Sequence, residues 1–399
     1  MNVDTMRNID YYAGVPLTFL ATWIKRILPL GETRREKPEN VLLIELSEMG
    51  SAILVDPAME KLKQNGAELF FVIFKKNSVS LKLLNTVKQE NIFEIREDSI
   101  AHLITDTLKF LAWSRKKKID TVIDLELFSR FTALLTGFCG AYTKVGFYRY
   151  HNEGLYRGEM LTHRVAYNPH IHITKNFIAL VNALYSKGKQ LPYTKSLIEE
   201  SETVLKKAVI DPSDVAAVKA AVKKCYAGYE GQEIVLINAN ASDLLPQRRW
   251  SQEGYIEVIK NVLEYRKDIL VLLTGAPAER DGLQNIASAV DNERCINFAG
   301  EVAFLQLPAL YSISKFMLTN DSGPAHFAGV TAMPTYVIFG PETPDLYRSL
   351  GETTPIYAGM SCSPCVSAWN HRKTSCTDNQ CLQVITPERV FNTIKERLG

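Results

Sequence analysis

Several things this sequence lacks narrow its class at once. The formal net charge is only +2, with 46 Lys and Arg set against 44 Asp and Glu. Bulk attraction to nucleic acid is therefore excluded, and no nucleic-acid partner is expected. There is no short-period repeat and no low-complexity tract, which argues against a repeat architecture. The uncharged run from Tyr11 to Ile24 stops at Lys25 and Arg26, short of the ~20 residues that cross a bilayer. No small-residue cleavage site follows it, so a signal peptide is not expected. Cysteine is sparse, at seven residues. An odd count without a secretory signal points to a reducing compartment.

What is present is ordinary in amount and specific in order. Hydrophobic residues make up 46% of the chain and charged residues 23%, the balance of a soluble globular protein. At 399 residues the chain exceeds the ~250–300 residues that one core sustains, so two domains are expected. Apolar runs of strand length alternate with helical segments. One series has strands at 41–46, 70–74 and 121–124, with a helix over 52–65. A second has strands at 234–238, 269–274, 316–318 and 335–339. Its helices are expected over 251–265, 279–290 and 305–314, and from Pro324 onward. Near-continuous apolar strands joined through helices belong to parallel sheets covered on both faces, so the fold class is α/β with two doubly wound domains. Between the series, the lysine-rich stretch 170–230 reads as a helical bridge, with helices over 201–209 and 211–226. The expected division is an N-terminal segment and charged linker at 1–37, a first domain at 38–205 and a second at 206–399. The start of the chain has two readings. It is an amphipathic helix lying on a membrane surface, with aromatics buried and Arg7, Lys25 and Arg26 at the headgroups, or a helix packed on the protein itself.

The most informative segment is Asp321-Ser322-Gly323-Pro324-Ala325-His326, which follows a strand. Gly323 allows close approach of backbone to a ligand, and Pro324 suits a first helical turn. A helix start at the carboxyl end of a sheet presents free N–H groups to phosphate, with Ser322 and His326 able to add bonds. The alternative is that Asp321 or Ser322 simply caps the helix. Together with Pro334-Thr335 and Phe339-Gly340-Pro341-Glu342, this segment resembles the hallmark of glycosyltransferase family 9, the ADP-heptose:lipopolysaccharide heptosyltransferases and their relatives. The resemblance extends to Asn238-Ala239-Asn240-Ala241-Ser242 with Arg248-Arg249-Trp250, to Gly275-Ala276-Pro277-Ala278-Glu279, to Phe298-Ala299-Gly300, and to Leu46-Ser47-Glu48-Met49-Gly50-Ser51 with Pro57. It covers about residues 40–390.

The resemblance implies the GT-B fold, two Rossmann-like domains facing a cleft, with the last helix, 387–398, crossing back to the first domain. It implies a nucleotide-sugar donor, with ADP-heptose a candidate, and no cofactor or metal. Ser242, Arg248, Arg249, Glu279, Asp321, Ser322, Gly323 and His326 are the expected donor-binding residues. Arg248 and Arg249 suit a diphosphate through charge-assisted bonds, and Glu279 suits a nucleoside hydroxyl, or else caps its own helix. The acceptor-side loop is Gly50 and Ser51. In the heptosyltransferases an Asp follows the Met-Gly of this loop, and here Ser51 takes its place. Because a serine hydroxyl is a poor base at neutral pH, Glu48 is the first candidate for the general base, with Asp124 and Glu126 behind it. Arg149 lies in a basic, aromatic stretch, 144–164, that suits an anionic glycan or lipid-linked acceptor. The charge run Arg115-Lys116-Lys117-Lys118 reads as a solvated helix end. His170 and His172 have metal-ligand spacing but read as structural.

Cys362, Cys365, Cys376 and Cys381 have the residue types and spacing of a structural zinc site, with structural thiols or a redox pair as alternatives. The expectation that follows is an inverting, metal-independent glycosyltransferase, cytoplasmic and peripheral on the inner face of a bacterial inner membrane, acting on lipopolysaccharide or a related surface glycan. Two rivals stand beside it: a nucleotide-sugar epimerase of the same fold, and a non-catalytic glycan- or membrane-binding scaffold.

Overall fold

A computed structural model describes residues 3–27, 37–150, 154–186, 192, 194–242 and 245–399. Most of the expected charged linker, at 31–36, and His151 lie outside the described residues. The chain clusters into two compact units, Met1–Val204 and Leu205–Gly399.

The first unit is a six-stranded sheet. Its strands are β1 (Asn40–Ile44), β2 (Glu68–Phe74), β3 (Ile92–Ile95), β4 (Thr121–Asp124), β5 (Thr143–Phe147) and β6 (His163–Val165). They lie in the order β3-β2-β1-β4-β5-β6 and every pairing is parallel. The sequence explains why β1 is central. Val41, Leu42, Leu43 and Ile44 are all shut off from solvent, so both faces of the strand need a helical cover. The expected helix over 52–65 is two helices, Met49–Leu54 and Asp56–Gln64, meeting at Val55. Ahead of β1 lie two further helices, Val3–Tyr12 and Gly14–Ile27.

The second unit repeats the plan. Its strands are β7 (Glu233–Asn238), β8 (Ile269–Leu273), β9 (Cys295–Asn297), β10 (Phe316–Asn320), β11 (Thr335–Phe339) and β12 (Thr353–Tyr357). Their order is β12-β11-β10-β7-β8-β9, again parallel throughout. Strands β7 and β10 are central, so their carboxyl ends lie together at the point where strand order reverses. Ligands of open α/β sheets bind at such a point.

Two expectations change here. Residues 201–209 do not form a helix beyond the short turn Glu200–Thr203. Instead, the Lys207 ammonium donates to the carbonyls of Gly329 and Thr331, and the Ala208 N–H donates to Val330. Those bonds hold Lys207 and Ala208 out of a helix and against the rest of their own unit. The last helix, Pro387–Leu398, was expected to cross back. Its apolar face, Val390, Ile394 and Leu398, instead joins the core of its own unit with Ile259, Val262 and Leu263.

Candidate functional site

Asn320, the last residue of β10, organises the carboxyl end of the second sheet. Fully buried, it accepts from the Trp250 N–H and the Tyr255 hydroxyl, each at 3.0 Å. Its amide donates to the carbonyls of Ala239 at 2.9 Å and Asn240 at 3.3 Å. One side chain thus ties the loop after β7, the segment 246–250 and β10 into a single piece. Asn238 does the same for β8 by donating to the Thr274 carbonyl at 2.9 Å. Sequence reasoning missed Asn320. The signal was available, because a polar residue closing an apolar strand has to find partners.

Within this frame Arg248 ends a short turn, Pro246–Arg248. Its Nη1 stands 3.9 Å from Asp321 Oδ2 and 3.8 Å from Glu342 Oε2. These are ion-pair distances, too long for bidentate hydrogen bonds. Arg248 Nε is buried and has no hydrogen-bond partner among the described residues. Both carboxyls are almost entirely shielded from water. Burial pushes the Asp321 carboxyl up from its usual range, with Arg248 opposing. Burial and the nearby charge of Asp321 push Glu342 up to about 8, again against Arg248. Both shifts work against full compensation of the Arg248 charge.

The hallmark helix is Gly323–Ala328, only six residues, so little macrodipole supports a phosphate there. Ser322 is its N-cap residue but makes no side-chain cap bond. Its hydroxyl lies 3.3 Å from the Asn320 carbonyl, which accepts from it. A Cβ on Gly323 would meet the Phe327 ring at 3.1 Å, so even alanine would crowd this turn. His326 is buried within the helix.

Not all the expected donor residues gather there. Arg249 turns away, and its Nε and Nη2 donate to the Ala241 carbonyl at 3.0 and 2.7 Å. Ser242 lies exposed on the same loop. Glu279 accepts from the Ala276 N–H at 2.6 Å and closes its own turn, so the capping alternative describes its present bonds. Arg372, by contrast, comes in from the cysteine-bounded loop. Its Nε lies 3.7 Å from Glu342 Oε1 and its guanidinium sits over the Tyr347 ring. The same loop is fastened beside Arg248, where Asn379 donates to the Gln247 carbonyl at 2.7 Å.

The cysteines do not form the expected zinc site. Among the described residues no group of three or more His, Cys, Asp or Glu is placed to hold a metal, and all four thiols are free. Cys365 and Cys376 make local contacts. Cys365 meets the Thr374 hydroxyl at 3.5 Å, and Cys376 accepts from the Asn379 N–H at 3.3 Å. Burial, and the charge of the other three thiols, push Cys381 up.

In the first unit, Glu48 precedes the helix Met49–Leu54 and begins the turn that contains Gly50. The Ser51 hydroxyl donates to Glu48 Oε2 at 3.3 Å, so this serine orients the neighbouring carboxylate. Glu48 is half-buried at the loop surface. The two other candidate bases are sealed. Asp124 is buried under Arg157, which donates to it and is itself buried, and takes a further bond from the Thr136 hydroxyl at 3.2 Å. Glu126 is buried and accepts from the Ser47 hydroxyl at 2.5 Å. Burial raises both carboxyls.

Arg149 is less free than its sequence suggests. It pairs with Glu159 at 3.6 Å, and Arg164 pairs with the same carboxylate at 2.7 Å. His172 caps the helix Ile173–Leu184 by accepting from the Thr174 N–H at 3.3 Å, a structural use.

Comparison with known proteins supplies the family. The model of "Glycosyltransferase family 9 (heptosyltransferase)" matches residues 111–375. Lipopolysaccharide heptosyltransferase 2 of Salmonella typhimurium is 27% identical over 160 residues, 39% of this chain and 44% of that protein. Lipopolysaccharide core heptosyltransferase OpsX of Haemophilus influenzae is 30% identical over 115 residues, 28% of this chain and 33% of that protein. The chain thus spans less than half the length of these curated relatives. Among solved structures, E. coli ADP-heptose lps heptosyltransferase II superposes with a TM-score of 0.67 at 20% identity, covering 90% of this chain and 98% of that one. The family 9 glycosyltransferase of Veillonella parvula gives 0.68 at 16%, covering 92% and 99%. These likenesses place the fold as GT-B.

Proposed function

The chain belongs to glycosyltransferase family 9, and from that premise we propose that it moves a sugar of the heptose class from a nucleoside-diphosphate donor to a lipopolysaccharide or related surface glycan. The reaction is inverting and needs no metal. It takes place at the cytoplasmic face of a bacterial inner membrane. ADP-heptose is the proposed donor, in keeping with the relatives.

The observation that carries the reading is Arg248, held by the Asn320 frame and standing 3.8 and 3.9 Å from two buried carboxyls without closing a bidentate bond on either. An incoming diphosphate takes that guanidinium, and the arginine balances the charge that grows on the leaving group. Glu48 serves as general base. As the acceptor oxygen bonds to the anomeric carbon, its proton passes to Glu48. The bond from that carbon to the phosphate oxygen breaks, and the diphosphate leaves from the opposite face with the electron pair.

The test measures ADP release from ADP-heptose with a lipid A–core acceptor, alongside calorimetric binding of ADP. Removing Arg248 as Arg248→Ala is expected to weaken ADP binding by about 10- to 150-fold, the worth of about 1.5–3 kcal/mol for a charge-assisted bond. Glu48→Gln is expected to keep ADP binding and to lose at least ~100-fold in transfer. Unchanged ADP affinity in the first variant, or near-normal turnover in the second, would remove that residue from its assigned role. Chelation by EDTA is expected to leave the rate unchanged.

A further inference from the structure

The helix Gly14–Ile27 is built inside out for a helix bathed in water. Its small and hydroxyl residues, Gly14, Thr18, Ala21 and Thr22, are the buried ones. They recur at helical spacing and form one stripe. That stripe lies against the first unit. A Cβ on Gly14 would meet the side chain of Arg130 at 2.7 Å, and one on Gly158 would meet the Thr18 carbonyl at 3.0 Å. The Glu159 N–H donates to the Thr22 hydroxyl at 3.0 Å, and the Lys25 ammonium donates to the Gly137 carbonyl at 2.9 Å. The preceding helix is latched as well. Asp10 accepts from the N–H groups of Arg130 and Phe131 at 2.8 and 2.9 Å and pairs with the buried Arg130 guanidinium.

The opposite side of the pair carries the bulk. Tyr12, Leu17, Phe19, Leu20, Trp23 and Ile27 are all exposed, Phe19 at 57% and Trp23 at 47%. A contiguous outward face of this kind marks an interaction surface. Arg26 is exposed at its edge beside the Trp23 ring, whereas Lys25 is taken up on the packed side by the Gly137 carbonyl. The helix Gly14–Ile27 contains no acidic residue, and Asp10 is turned inward onto Arg130.

We propose that this face docks the protein on an anionic phospholipid bilayer, lying in the plane of the headgroups. Trp and Tyr prefer that depth, and an arginine at the edge, here Arg26, meets a lipid phosphate. The chemistry of the rim selects a bilayer over a second copy of the chain. Pairing this face with the same face of a second copy would set Arg26 against a helix that has no acid to meet it. Crossing the bilayer is excluded for these helices, since no described helix is long and apolar enough. Of the two readings of the sequence, packing on the protein is the one the bonds show, and docking on lipid is the proposal. One face of the segment packs on the protein and the other is left for lipid. The inference is independent of the transferase chemistry.

The test is flotation of the full chain with vesicles of phosphatidylcholine alone or with phosphatidylglycerol. The intact protein is expected to float with the anionic vesicles, less so as salt rises, and weakly with the neutral ones. The double variant Phe19→Glu, Trp23→Glu is expected to lose at least tenfold in partitioning. Both side chains are exposed, so its thermal midpoint and ADP affinity should stay unchanged. Failure of the intact protein to float would overturn the proposal. So would equal flotation by the variant, or a concentration-dependent dimer that the same substitutions dissolve. ADP affinity is read separately, so failure here is distinct from failure of the transferase reading.

Discussion

Glu342 lies between two arginines, with Arg248 Nη1 at 3.8 Å from one oxygen and Arg372 Nε at 3.7 Å from the other. Even so, burial and Asp321 push it up to about 8 from its ordinary 4.5. A folded-state value above the unfolded one means that the folded protein keeps a proton the unfolded chain gives up. The stability from that proton is present in full below about pH 4.5 and is lost as pH climbs through about 8. Asp321 shifts in the same direction, again chiefly from burial. Thermal stability of the second unit is therefore expected to fall between pH 5 and 8, and Glu342→Gln, neutral at every pH and similar in size, should flatten that slope. An unchanged slope in the glutamine variant would place its origin elsewhere. At this scale the sequence was only partly legible. Arg248 and Arg249 are adjacent and chemically identical, yet only the first faces the carboxyls while the second binds the Ala241 carbonyl. The direction of a side chain leaving a turn is set by backbone that spacing does not reveal. Arg372 was harder still, since it reaches Glu342 from a loop 30 residues further along the chain.

At the scale of elements, the strands were the easiest to read. β1, β7 and β8 are runs of Val, Leu and Ile because both of their faces are covered, and such runs have few other uses. The segment 201–209 was misread because its composition suits a helix, while the bonds from Lys207 and Ala208 to 329–331 are tertiary and leave no local mark. The last helix was misread for a related reason: its apolar stripe shows that one face is buried but not against what. The bonds of Asn320 argue a prediction at this level. Four hydrogen bonds converge on one buried amide, and truncating it strands buried donors and acceptors on three segments. Asn320→Ala is expected to destabilise the second unit by about 2–4 kcal/mol and to weaken ADP binding with it, because Arg248 depends on the same frame. Ser242→Ala, on an exposed part of that loop, is expected to stay within ~0.5 kcal/mol. Urea denaturation of the two variants side by side checks the contrast, and equal stabilities would deny Asn320 its organising place.

For the whole molecule, the two units divide the proposed work. Arg248, proposed to hold the nucleotide, lies in Leu205–Gly399 with its neighbours Asp321 and Glu342, while the proposed base Glu48 and the outward apolar face of 9–27 lie in Met1–Val204. Each unit has its own core, so a ligand that touches one can protect it without ordering the other. A ligand bound to the folded state alone stabilises it by about 2.7 kcal/mol at one hundred times its Kd, and this gain slows exchange of the amides that open with the site. Hydrogen exchange with saturating ADP is therefore expected to show protection in peptides over 238–250, 320–328 and 340–345, and none over 3–27. Anionic vesicles without nucleotide should give the reverse pattern, with protection over 3–27 and none around Arg248. The two ligands together should sum the two patterns. Protection by ADP confined to the first unit would move the nucleotide site away from Arg248, and vesicle protection appearing first over 240–250 would move the lipid face away from Phe19 and Trp23. Because the readout is resolved along the chain, one experiment tests both assignments and keeps their failures apart.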